Sequence, residues 1–150
     1  MKRFSKPALA LMLAAVLFIC SLVGCGKKAE NAPATDGKKT YKIGICNYVD
    51  DASLNQIVAS VKTRLGTLAA ENNVTFDISL DNCNADANLL SQIISNFEAD
   101  RVDLMVAVAT PVAMAMQSAT EESGTPVVFA AVSDPVSVGL VNSLQAPGAN

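Results

Sequence analysis

A chain of 150 residues with eleven basic and fourteen acidic side chains has room for one small domain. Its balance is a poor match for nucleic acid, which needs clustered Lys and Arg. Histidine is absent, so the commonest general base and commonest metal ligand are missing, which excludes a Ser-His-Asp hydrolase and a histidine zinc site from this segment.

Lys2, Arg3 and Lys6 open the chain, and no charge occurs from Pro7 to Val23 in a run rich in Leu, Ala, Val and Phe. A basic start, a short apolar core and a small residue before a cut make a secretory signal. The run is slightly short of the roughly 20 residues a spanning helix needs. Leu22-Val23-Gly24-Cys25 resembles the bacterial lipobox, whose cysteine becomes the lipidated first residue of the mature protein. The expectation is a signal peptide over residues 1–24 and lipid on Cys25. The lipid would hold the protein on the extracytoplasmic face of a cell membrane, or in a periplasm. An ordinary signal peptide and an uncleaved anchor are the alternatives. Residues 26–40 read GKKAENAPATDGKKT, too polar to offset chain entropy by burial, so residues 25–40 are expected to be a flexible tether.

The remaining segment, 41–150, carries Lys42, Lys62, Arg64 and Arg101 against twelve acidic residues, a formal charge of −8. With Cys20 in the signal and Cys25 lipidated, Cys46 and Cys83 remain. Without histidine they are too few for structural zinc. Two buried thiols are the preferred reading; an exported location also permits a disulfide.

Lys42 to Asn47 alternates, with Ile43 and Ile45 on one face, and predicts a first strand. Asp50-Asp51 offers a helix cap, and Leu54, Ile57, Val58, Val61, Leu65 and Leu68 recur at helical spacing until Asn72-Asn73 ends the helix. Val74, Phe76, Ile78 and Leu80 then alternate with polar residues, the mark of a strand wet on one side and near a sheet edge. The run Asp81 to Asp86 lacks the turn glycine and closing glutamate of a calcium loop, and reads as a loop with a helix cap. A second helix carries Leu89, Leu90, Ile93, Ile94 and Phe97. Residues 102–109 (VDLMVAVA) predict a strand buried on both faces. Thr110-Pro111 opens a third helix with Met116 as core filling, and residues 126–132 (PVVFAAV) predict another fully buried strand.

Alternating strands and helices imply an α/β fold, a doubly wound parallel sheet. The polar second strand belongs at an edge, which gives the order 2-1-3-4 and a switch point between the first and third strands. Ligands in such sheets sit outside the carboxyl ends of the strands at that point. The candidate ligand residues are therefore Asn47, Tyr48, Thr110, Pro111, Val112, Ser133 and Asp134. Thr110 is expected to cap the third helix, whose free N–H groups, including those of Val112 and Ala113, suit a ligand carboxylate. Asp134 suits a ligand ammonium, and Tyr48 a flat side group. The bland alternatives are a cap for Thr110 and a turn for Asp134 before Pro135. No Gly-x-Gly-x-x-Gly or Walker motif follows the first strand, so no nucleotide cofactor is expected. No catalytic or metal-binding residue is assigned.

Four segments carry a resemblance: Lys42 to Ile45 (KIGI), Asn82 to Leu89 (NCNADANL), Asp103 to Pro111 (DLMVAVATP) and Pro126 to Leu140 (PVVFAAVSDPVSVGL). They resemble solute-binding lipoproteins of ABC importers with the type-I periplasmic-binding-protein fold, in the tryptophan/tyrosine branch. In the second segment Ala85 stands where that family has glycine. The resemblance implies that residues 41–150 are the N-terminal lobe of a two-lobed protein whose second lobe is missing. It also implies a non-enzyme that captures a small, amino-acid-like solute, with aromatic amino acids among the candidates. Its partners would be that solute, an ABC permease with its ATPase, and the membrane through the lipid; nucleic acid is not among them. A ligand-sensing receptor domain and an enzyme on a flavodoxin-like sheet are the alternatives.

Overall fold

The computed structural model describes residues 37–148; residues 1–36, which include Cys25 and the expected signal, lie outside the described residues. The elements are β1 (Lys39–Asn47), α1 (Ala52–Asn72), β2 (Val74–Asn82), α2 (Ala87–Ala99), β3 (Leu104–Val108), α3 (Thr110–Thr120) and β4 (Val127–Ala130). All strand pairs are parallel and the order is β2-β1-β3-β4, the order read from the sequence.

The two faces of the sheet follow from the two-residue period of its strands. Ile43 and Ile45 of β1, with Val106 and Val108 of β3, meet the stripe of α1 formed by Leu54, Ile57, Val58, Val61 and Leu65. Cys46, Met105 and Ala107 point the other way, into a cluster with Leu90, Ile93, Ile94 and Phe97 of α2 and Val112, Ala113 and Met116 of α3. One helix covers one face and two cover the other, so the central strands β1 and β3 are dry on both sides. Gly44 sits beneath α2 because a Cβ there would lie 2.6 Å from Cδ2 of Phe97. The ring packs directly on the β1 backbone. Cys46 and Cys83 are free and buried, in keeping with the preferred sequence reading.

Both long helices start and stop as their sequences dictate. Asp51 caps α1 by accepting from the N–H groups of Ser53 (2.8 Å) and Leu54 (3.2 Å). Asp86 caps α2 by accepting from Asn88 (2.7 Å) and Leu89 (2.9 Å). Asn73, with φ 52, ends α1 in the left-handed conformation that asparagine tolerates better than most residues.

Three expectations need correction. β1 begins at Lys39, before the expected boundary at residue 41, because Lys39 and Thr40 pair with Val74 and Thr75 of β2; ladder hydrogen bonds extend the strand where apolar content does not. β3 is shorter than 102–109: Val102 is buried but lies outside the ladder, its N–H bonding back to Phe97 O (3.1 Å). β4 is shorter than 126–132 and is not buried on both faces. It pairs only with β3 among the described residues, and Val128 is 53% exposed.

Candidate functional site

The register brings the strands to a common end. Asn47 lies opposite Asn82 on one side and Val108 on the other, and Val108 lies opposite Ala130. The residues just past this row therefore share one rim, at the carboxyl ends of the strands, where the connections after β1 and β3 leave to opposite faces of the sheet. The rim is backbone-strained. Asn84 (φ 51), Ala85 (φ 57), Ala109 (φ 87) and Ala131 (φ 57) all take left-handed conformations. Alanine pays for this geometry where glycine does not. The φ of Ala85 explains why a glycine is expected at that position.

Asn47 closes β1 and is 3% exposed. Its Nδ2 donates to Val49 O (3.0 Å) and to Oδ1 of Asn55 in α1 (3.0 Å). Asn55 in turn donates from Nδ2 to Oδ1 of Asp50 (2.6 Å). The chain of bonds fixes the amide so that Oδ1 of Asn47 has no partner, alone among buried side-chain polar atoms of the described residues. An orphaned buried acceptor costs roughly 1–3 kcal/mol. Its rarity in folded proteins makes it a place where a ligand donor gains most. Asn47 opens onto a groove of about 640 Å³ between α1 and β2, lined also by Asn55, Val58, Lys62, Asp81 and Asn82. Of these, only Asn47 is among the candidate residues from the sequence. The available signal was Asn55, Ala59 and Lys62, spaced four and three apart beside the apolar stripe of α1.

At the start of α3 the cap reading is corrected. Ala109 is the N-cap residue and makes no side-chain cap, while Thr110 is already helical and Pro111 follows. The reason is steric and topological. Ala109 N–H still reaches Ala130 O (3.0 Å) in the sheet, while its carbonyl accepts from Ala113 N–H (3.1 Å). The turn from strand to helix is thus made within one residue. Ala113 N–H is consumed by that bond and is not offered to a ligand. The amides of Thr110 and Val112 precede the first intrahelical bond and Pro111 has none, so these two are the donors left at this helix start. The Val112 side chain itself is fully buried; only its backbone can serve.

Tyr48 is half-buried and packs beside the cluster beneath α2 and α3, while its carbonyl accepts from Ala85 N–H (2.8 Å). Ser133 and Asp134 are exposed. Asp134 accepts at Oδ1 from Ser137 N–H (3.0 Å), which holds its carboxyl below the usual value of 3.8. Asp134 is therefore a turn former and an ionised carboxylate at neutral pH. A separate cavity of about 370 Å³ lies between α3 and β4, lined by Ala113, Gln117, Val127 and Phe129 among others. It is apolar and lies beneath the sheet rather than at its rim.

The chain has well-defined relatives. Residues 42–150 match the family described as ABC transporter substrate binding protein. A tyrosine-binding protein of Clostridioides difficile (strain R20291) is 36% identical, over 97% of this chain and 43% of the relative. Among solved structures, an ABC domain from Streptococcus pneumoniae in complex with L-Trp has a TM-score of 0.64 and 31% identity, over 75% of this chain and 37% of that one. The ligand-free, open structure of a substrate binding protein with adhesive properties from Clostridium difficile has a TM-score of 0.60 and 34% identity, over 73% and 36%. The chain thus spans less than half the length of the relatives it matches. A 2-1-3-4 parallel sheet with its polar rim, and a match running through nearly all of the described residues, lead to one assignment: this chain belongs to the family of ABC transporter substrate binding proteins, a family of binders and not of enzymes.

Proposed function

We propose that this chain captures an aromatic amino acid at the carboxyl-end rim of its sheet, for delivery to a membrane permease driven by an ATPase. The observation that carries the reading is the buried, unpartnered Oδ1 of Asn47 at that rim. An ammonium donor would complete it with a charge-assisted bond. The amides of Thr110 and Val112 supply the opposite recognition, for a carboxylate at a helix start. Asp134, past β4, adds negative charge to the rim, and Tyr48 offers a ring for a flat side group. Two relatives, a tyrosine-binding protein and an ABC domain in complex with L-Trp, support the class. In the two-lobed arrangement that the resemblance implies, this rim forms one wall of a clamp. Lipid on Cys25 would keep the protein beside its permease, on the extracytoplasmic face of the membrane.

A single wall encloses less of a ligand than the roughly 70–90% typical of good sites, so binding to this chain alone should be weak and is best followed residue by residue. Titrating the isotope-labelled chain with millimolar L-tryptophan should shift the amide resonances of Asn47, Tyr48, Thr110 and Val112. Tryptamine, which lacks the carboxylate, should leave Thr110 and Val112 unmoved. Asn47→Ala should remove the shifts while circular dichroism stays unchanged. Shifts absent from the rim, or confined to the apolar cavity beside β4, would sink the proposal.

A further inference from the structure

Cys46, in β1, and Cys83, just past the end of β2, lie in the same buried cluster. Cys46 is the register partner of Asp81, so Cys83, two residues further along, faces the same side of the sheet. Both are fully buried in the cluster beneath α2 and α3. Their sulfurs address consecutive carbonyls of one segment: Sγ of Cys46 lies 3.6 Å from Asn47 O, and Sγ of Cys83 lies 3.3 Å from Tyr48 O. Cys83 is close enough to Cys46 to raise its thiol alongside burial. We propose that Cys46 and Cys83 are a disulfide-forming pair, oxidised while the chain folds, whose bond staples the carboxyl end of β1 to the loop leading from β2 into α2.

The oxidant is a disulfide of the glutathione or thiol-oxidoreductase class. One cysteine attacks it as thiolate and expels a thiol, giving a mixed disulfide; the second cysteine then displaces the other half, also as a thiol. Two cysteine hydrogens and two electrons pass to the incoming disulfide, which leaves as two thiols. The structure also dictates when this happens. Burial and the neighbouring Cys83 push the Cys46 thiol up to about 12, and only a thiolate attacks. With neither sulfur open to solvent, the folded reduced protein resists oxidation, and the folded oxidised protein resists reduction. The bond is therefore made before the core closes. It encloses α1 and β2 in a covalent loop, which restricts the unfolded chain. It also fixes the wall where Tyr48 O meets Ala85 N–H (2.8 Å). None of this depends on what the rim binds.

The test uses the full chain with Cys20→Ser and Cys25→Ser, which leaves only this pair. The protein is unfolded in guanidinium and refolded either with glutathione disulfide or with a reductant, then denatured in excess iodoacetamide and weighed by mass spectrometry. After oxidising refolding we expect a mass lighter by two hydrogens, no alkyl group, and a non-reducing digest containing one peptide pair joined through Cys46 and Cys83. The oxidised form should also unfold at a higher denaturant concentration than the reduced form. Protein refolded under reductant and then exposed to glutathione disulfide while folded should keep both thiols. Two alkylated cysteines after oxidising refolding, or glutathione retained on each, would overturn the pairing. Oxidation of the folded reduced protein as fast as of the unfolded chain would overturn its timing.

Discussion

The tightest constraint at the scale of single residues is the contact between Gly44 and Phe97. A methyl group at position 44 would lie 2.6 Å from Cδ2 and 2.7 Å from Cγ of a ring that is itself buried against α2. Neither the strand backbone nor the ring has free space to move into, so the core must shift. Gly44→Ala should destabilise the lobe by about 1–3 kcal/mol, the usual range for overpacking, read as a lower urea midpoint with an unchanged slope. Combining it with Phe97→Leu should lose less than the sum of the two single losses. Additive losses would show that the ring is not the obstacle. The sequence displayed this glycine inside an apolar strand, but its partner lies 53 residues away and only folding names it. Asn47 poses the same problem for the site. A polar residue at a strand end is legible; that its Nδ2 would be spent on Val49 and Asn55, leaving Oδ1 orphaned, is not.

At the scale of elements, local chemistry sets the ends of α1 and α2. Asp51 and Asp86 each accept two backbone N–H groups, and both caps were visible as aspartate before an apolar period. The start of α3 behaves differently. Its expected cap, Thr110, lies inside the helix, and Ala109 bridges strand and helix at φ 87, ψ 156. That region is essentially glycine's, and costs alanine of order 1–3 kcal/mol. Glycine gives back about 0.4–1 kcal/mol through its freer unfolded chain. Ala109→Gly should therefore stabilise the lobe by about 1 kcal/mol, measured by chemical denaturation. A loss of stability would mean that the Ala109 methyl contributes more by packing than its backbone costs. β4 shows the opposite limit of local reading. PVVFAAV has the composition of a fully buried strand, yet Val128 is 53% exposed. Apolar content states that a face needs cover, but not what in the described residues supplies it.

At the scale of the molecule, the lobe is strongly acidic, and the proposed anchor would tie it to a membrane through Cys25. One acyl chain holds a protein only marginally, so firm retention needs more than one. Cys25→Ser should move the protein from the membrane fraction to the medium or periplasm, or leave it unprocessed with its signal attached. Labelled palmitate should mark the parent and not the variant. A variant that is matured and retained like the parent would remove the lipid anchor from the proposal. The relatives fit a solute binder at the level of family, and the chain spans 43% of the tyrosine-binding relative.

The sequence by itself determined the alternation of strands and helices, the amphipathic faces, the edge position of β2 and hence the 2-1-3-4 order. Each depends on periods of two or 3.6 residues or on caps acting within three or four positions. Tertiary structure alone decided the meeting of Gly44 with Phe97, the burial of Cys46 and Cys83 in one cluster, the level ends of four strands, the strain at Ala109 and the groove between α1 and β2. These depend on register, and register is set by which strands pair and by how the helices on both faces pack. A residue's own neighbours in sequence do not contain that information.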